Sequence, residues 1–241
     1  MRAFVQAKNG MPIDYDHFNA ACGFKEMGYE IVYFSSFAEL EESKKEDIVV
    51  GYIGIVNKRL GDFNVKIEDI DYPVCLEKFL GRRIWNMTIN EDSDNPDIWP
   101  VFVKPKTNKK FSGRVIRGVS DLVGCGSCYD NAEVTCSDVL DIVSEYRAFV
   151  RYGQIVDVRR YRGDWKIFPD SKFIELCVQE FVDAPAGYAI DFGVTVDGQT
   201  ILIEVNNTCS IGSYGLFCVD YAKLISARWS ELMDTKDECN F

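Results

Sequence analysis

The chain has 241 residues, enough for one large domain or two small ones. Hydrophobic residues make up 47% of it and aromatic residues 13%, so it can bury a sizeable core and is not a disordered chain. Its 27 Lys and Arg against 38 Asp and Glu leave a net charge of −11, which argues against a broad nucleic-acid or anionic-membrane surface and leaves room for a local basic pocket only.

No apolar run approaches the length of a membrane span, and Met1–Gln6 reads as a strand rather than a signal peptide. The nine cysteines are an odd count, scattered through apolar stretches such as Leu176-Cys177-Val178. Reduced thiols in the cytoplasm fit that pattern better than a disulfide framework. His17 is the single histidine, so histidine-based hydrolysis and His-ligated zinc have almost no material to work with. Cys125-Gly126-Ser127-Cys128 has C-x-x-C spacing but no second pair follows at zinc-ribbon distance, so it is read as a turn.

In chain order, Arg2–Ala7 reads as a strand and Tyr15–Met27 as a helix ending near Gly28. Glu30–Ser35 follows as a strand, Phe37–Lys45 as a charged helix with a solvated face, and Asp47–Tyr52 as another strand. Strands alternating with helices predict a small open α/β layer. Asp92–Pro100 is polar and leads into Val101-Phe102-Val103-Lys104-Pro105, a short buried strand delivering a lysine at its end. A lysine-rich turn precedes the strand-like Gly113–Gly118, and Gly124–Asn131 is a turn. Strands are then predicted over Glu145–Val150, Gln154–Tyr161 and Ile190–Val196. Asp197-Gly198 is a hairpin signal joining the last of these to Thr200–Val205. Phe217–Met233 has the period and length of a closing helix.

The most informative constellation is Asp191 on one strand with Glu204 and Asn206 on the next. Glu204 and Asn206 are two apart and share a face, and the tight hairpin sets Asp191 close to opposite Glu204. Two carboxylates and an amide oxygen make an all-oxygen patch that suits Mg²⁺. A polar outer hairpin face is the plainer reading, but Ile201, Leu202, Ile203 and Val205 make the strand too apolar for it, and a buried glutamate needs a counter-charge.

This segment, with the Ser210-Ile211-Gly212 loop behind it, resembles the terminal metal-binding motif of the ATP-grasp superfamily, and of its D-alanine–D-alanine ligase type most of all. Upstream, Phe102-Val103-Lys104-Pro105 is similar to the strand that brings a lysine to the nucleotide phosphates. Glu145-Tyr146-Arg147-Ala148-Phe149-Val150 resembles the strand whose leading glutamate meets the ribose hydroxyls. The order of the three motifs is the family's order.

The resemblance implies an α/β chain: a short N-terminal α/β (pre-ATP-grasp) module over residues 1–84 and an ATP-grasp module over 85–241, whose two α+β lobes grip ATP. It implies Mg²⁺ on Asp191, Glu204 and Asn206. It implies ATP contacts from Lys104 and Lys110 in the basic run, from Glu145, and from the hinge Asp138-Val139-Leu140-Asp141, where backbone groups read the adenine edge. In place of a further phosphate-binding lysine the chain has Arg82-Arg83, similar to a small phage and bacterial clade with arginine at this point, and Arg83 is the candidate. An arginine usually stands two residues before the metal-binding aspartate to stabilise the oxyanion, and here that position is Ala189. Arg147, Arg160 and Lys166 are the substitutes, Arg147 first because it shares the strand parity of Glu145. The implied reaction is ligation of a carboxylate to an amine through an acyl-phosphate, the acceptor being a small molecule, a peptide or a protein terminus. A phosphotransferase on the same site and a nucleotide-binding module without turnover are the alternatives.

Overall fold

A computed structural model describes residues 1–106, 111–126 and 129–241. Its first strand, β1 (Arg2–Lys8), is apolar on both faces and turns back through β2 (Met11–Pro12). Helix α1 (Tyr15–Glu26) begins at Asp14, whose carboxylate caps it by accepting from the His17 N–H. β3 (Glu30–Phe34), β4 (Ile48–Val50) and α2 (Ile53–Asp62) follow. β3 and β4 both pair parallel with β1, one on each side, so β1 is the central strand.

The charged helix expected over Phe37–Lys45 is a single 3₁₀ turn, Phe37–Leu40. Glu39 folds back to accept from the Ser35 N–H and the Ser35 and Ser36 hydroxyls, which offers the backbone an alternative to continued helix. α2 has no side-chain cap at Tyr52 and is not among the elements expected from the sequence. Val56 and Leu60 lie on its buried face.

The chain then forms β5 (Ile84–Thr88), α3 (Ile89–Ser93), β6 (Val101–Pro105), β7 (Arg114–Ile116) and β8 (Glu133–Asp138). The four strands make an antiparallel sheet in the order β5-β8-β6-β7. Val101, Val103, Ile116, Val134 and Cys136 form its core. Leu80–Ile142 is one compact unit.

The other compact unit joins Met1–Phe79 to Val143–Phe241. Compactness therefore divides the chain differently from the module boundary at residue 84. The later part of this unit contains β9 (Ile142–Arg151), β10 (Gln154–Gly163), α4 (Ser171–Glu180), β11 (Gly187–Thr195), β12 (Thr200–Asn207) and α5 (Cys218–Met233). Its sheet runs β10-β9-β11-β12. Every residue of β11 is buried, because both faces are covered. Tyr188 meets Phe181 at the end of α4, while a Cβ on Gly187 would come within 2.5 Å of the Leu224 carbonyl on α5. The N-terminal sheet and α5 share one core: Phe4, Phe24, Phe34 and Val49 pack in the same cluster as Phe149, Ala189, Leu224 and Trp229. Among the described residues no helix is long and apolar enough to cross a membrane.

Candidate active site

The β11–β12 hairpin turns at Asp197-Gly198, with Gly198 at a φ of +83° that favours glycine. Its register sets Asp191 directly across from Glu204 and Ala189 across from Asn206, with an irregularity between Asp191 and Phe192. The Asn206 amide nitrogen donates to Asp191 Oδ2 at 3.2 Å. The three oxygen-bearing side chains expected to share a face are thus grouped on neighbouring strands.

Asp191 is only 3% exposed, and its counter-charge comes from β9. Arg147 donates through Nε to Oδ1 and through Nη2 to Oδ2, both at 2.7 Å, in a bidentate fork. Burial pushes the Asp191 carboxyl above its ordinary value; the Arg147 hydrogen bonds oppose that shift, and the nearby Glu204 and Glu145 reinforce it. Such a carboxylate gains from a further cation. Each carboxylate oxygen has two lone pairs, so the fork leaves acceptor capacity on Asp191. Two carboxylates and an amide, all hard oxygen donors, fit Mg²⁺, which keeps several waters and takes the rest of its shell from phosphates. No group of three His, Cys, Asp or Glu among the described residues is arranged to hold a metal.

Around this pair, Tyr161 of β10 and Tyr214 of the loop after β12 stack with centroids 4.9 Å apart. The Arg147 guanidinium lies 4.9 Å from the Tyr214 ring and 5.8 Å from the Tyr161 ring. Burial, helped by Asp191 and Glu145, drives the Tyr161 hydroxyl well above its ordinary value. Glu145, two residues before Arg147 on β9, accepts from Arg162 at 2.9 Å. Arg160 is exposed and donates to the Gly163 carbonyl, and Lys166 is exposed beside the Trp165 ring. Of the three expected oxyanion donors, Arg147 touches the acidic hairpin, through Asp191. The two tyrosines around it were not anticipated, and no spacing signal in the sequence ties Tyr161 to Tyr214.

The remaining expected nucleotide contacts lie in the other compact unit. Lys104 sits half-buried on β6 in register with Thr135, its strand neighbours Val103 and Pro105 turned into the core. Arg83 and Asp138 pair with one another: the guanidinium Nη2 donates to Oδ1 at 2.7 Å and the Arg83 N–H to Oδ2 at 3.0 Å. The Arg83 hydrogen bonds hold the Asp138 carboxyl below its ordinary range. Val139, Leu140 and Asp141 form the connection between β8 and β9. Lys110 lies outside the described residues, as does Cys128. The eight described cysteines are free, and burial pushes the Cys136 and Cys177 thiols up to about 12.

A family model for the ATP-grasp domain, R2K clade family 2, matches residues 79–224. The chain belongs to this ATP-grasp family. Solved structures carry the same fold at low identity. D-alanine–D-alanine ligase from Bacillus anthracis complexed with ATP superimposes with a TM-score of 0.60 at 13% identity, over 96% of this chain and 97% of that one. N5-carboxyaminoimidazole synthetase from Staphylococcus aureus gives 0.57 at 10% identity, over 98% of this chain and 78% of that one. The ATP-grasp ligase PsnB complexed with a minimal precursor gives 0.53 at 13% identity, over 93% of this chain and 98% of that one. No curated protein matches.

Proposed function

We propose that this ATP-grasp chain is an ATP- and Mg²⁺-dependent ligase that joins a carboxylate to an amine through an acyl-phosphate. The carrying observation is the placement of Asp191 opposite Glu204, with Asn206 hydrogen-bonded to Asp191, in a chain of this family. Asp191, Glu204 and Asn206 would hold Mg²⁺, which when bound neutralises charge on the phosphate oxygens. Lys104, Lys110 and Arg83 bind phosphate oxygens, Glu145 the ribose hydroxyls, and the Asp138–Asp141 backbone the adenine edge.

A carboxylate oxygen of the substrate attacks the γ-phosphorus and ADP leaves. The amine nitrogen then forms the C–N bond as phosphate departs. Arg147, Arg160 and Lys166 are the donors proposed for the charge that develops on the carbonyl oxygen, a contact worth about 100-fold or more in rate. No side-chain nucleophile is required, since positioning and electrostatics carry phosphoryl and acyl transfer. The PsnB neighbours bound to precursor peptide support keeping peptides among the acceptors, beside small molecules and protein termini. Buried, unpaired thiols suit a cytoplasmic enzyme. The module boundary near residue 84 belongs to the same reading.

The test has two arms. Glu204→Gln is expected to abolish ATP turnover while leaving the circular dichroism and melting temperature as in the wild type; wild-type turnover in this variant would sink the metal assignment. Mass spectrometry of reactions with ATP and panels of acids and amines should find an amide with ADP and phosphate. A stable phosphorylated product would make the protein a kinase, and absence of ADP release a binding module.

A further inference from the structure

A second site lies in the same compact unit as the acidic hairpin. It is a cavity of about 130 Å³, lined by Asp14, Asp16, His17 and Tyr52 on one side and by the Cys209–Gly212 loop on the other. The sheet order β3-β1-β4 reverses at β1, and Gly51 and Tyr52 follow β4. Open α/β sheets bind ligands outside the carboxyl ends of their strands at such a reversal.

His17 is 5% exposed, and its Nε2 has no hydrogen-bond partner among the described residues. A buried polar atom without a partner is uncommon and needs a reason. Its other ring nitrogen, Nδ1, lies 2.6 Å from Asp14 Oδ1, and Tyr52 packs edge-on against the ring at 5.2 Å. Burial works to raise the Asp14 carboxyl, but hydrogen bonds from the His17 ring and N–H and from Tyr52 outweigh it and hold the group below its ordinary range. With Asp14 accepting from Nδ1–H, the neutral ring would present its Nε2 lone pair as an acceptor.

Asp16 adds a second carboxylate, accepting from the Ser213 N–H at 2.8 Å and the Ser213 hydroxyl at 2.6 Å. No lysine or arginine lines the cavity. A ligand carboxylate would face two carboxylates; a positively charged ligand with N–H donors would face the Asp14 and Asp16 carboxylates and no cationic side chain. Ser213 is also bound to its neighbour Tyr214, whose ring covers Arg147 and hence the Asp191 pair. One short loop therefore ties this cavity to the acidic hairpin.

We propose that this cavity binds the primary-amine acceptor by its nitrogen, and that His17 Nε2 takes the proton the nitrogen must lose before it can attack. The proposal rests on the ligase reading for its chemistry. R–NH₃⁺ gives one proton to Nε2, and the freed lone pair forms the C–N bond at the acyl-phosphate carbonyl carbon. The C–O bond to phosphorus oxygen breaks, phosphate leaves with that electron pair, and the second nitrogen proton passes to the departing phosphate.

Because His17 is the single histidine, protein grown with ¹⁵N-histidine reports one imidazole without assignment. Titration with methylammonium chloride at constant pH is expected to move the Nε2 resonance saturably, whereas tetramethylammonium chloride and sodium acetate leave it in place. A ring that ignores methylammonium, or answers equally to either control, overturns the proposal. In turnover, His17→Gln is expected to raise the amine KM or lower kcat at least 10-fold with the ATP KM within twofold. The wild-type NMR titration decides the binding claim even if that variant fails to fold. Saturable methylammonium binding with no amide from any acid leaves the amine site standing and removes the ligase reading. Amide formation with an unresponsive ring and an unchanged amine KM in His17→Gln does the reverse.

Discussion

Arg147 and Asp191 form a buried, doubly hydrogen-bonded pair, and its energetics are asymmetric. Removing one partner leaves the other charge in the interior, a loss of about 3–5 kcal/mol. Arg147→Ala is therefore expected to lower the unfolding free energy from urea titration by that amount, with a lower midpoint, and Arg147→Ala/Asp191→Asn should regain more than half of it. A wild-type midpoint in the single variant would mean that the fork does not hold the hairpin. Asp237 is another buried carboxylate with a defined set of donors: Ser226 at 2.6 Å, Arg151 at 2.7 Å, Tyr152 at 2.9 Å and the Cys239 N–H at 3.0 Å. Burial would raise its carboxyl, yet these hydrogen bonds hold it below the ordinary range. A depressed folded value means that the stabilisation is complete above the unfolded value, about 3.9, and is lost as pH falls through the folded one. Asp237→Asn should lose about 1.5–3 kcal/mol at pH 7, and its deficit against wild type should shrink below pH 4. A deficit that stays flat from pH 7 to pH 3 would show that the charge is not its source. Asp191, Glu204 and Asn206 were legible as one patch because strand parity and a two-residue turn determine who faces whom. The fork to Arg147 was not, because it depends on which strand lies beside β11, and no local pattern encodes that.

At the scale of elements, α1 and α5 meet where neither can be moved apart cheaply. A Cβ on Gly23 would lie 2.0 Å from the Cys218 carbonyl oxygen and 2.8 Å from the Ala222 Cβ. Gly23→Ala must shift one helix and is expected to cost about 1–3 kcal/mol, read as a lower melting temperature. An unchanged melting temperature would show that the two helices are not in close contact at this glycine. Both helices were visible from periodicity: Tyr15–Met27 against the observed Tyr15–Glu26, and Phe217–Met233 against Cys218–Met233. α4 carries a signal of its own, Asp170 as a cap before apolar Ile174, Cys177 and Val178. β5 and β8 were hidden. Trp85 and Met87 alternate with Asn86 and Thr88, and Val134 and Cys136 with Glu133 and Thr135, but each pattern offers only two apolar residues, too short a run to stand out from the turns around it.

For the whole molecule, the first 79 residues do not close a core by themselves. They share one with the last hundred. Phe4, Phe24, Phe34, Leu40 and Val49 lie in a single cluster with Phe149, Leu224, Ile225 and Trp229, and the Trp229 indole donates to the Lys45 carbonyl at 2.9 Å. Asn19 likewise donates to the Leu216 carbonyl across 197 residues of chain. The boundary expected at residue 84 comes from a change of motif, and motif order carries no information about which surfaces bury each other. A fragment of residues 85–241 would expose the partners of those five apolar side chains, each worth about 1.5–3 kcal/mol when buried. Their sum rivals the roughly 5–15 kcal/mol that holds a domain folded. The fragment should therefore bind ANS, lose its near-ultraviolet dichroism and unfold without a cooperative urea transition. A dispersed amide spectrum and a sharp transition in that fragment would show that the core closes without the N-terminal sheet, and that the shared cluster is a docking contact between two independently folding parts.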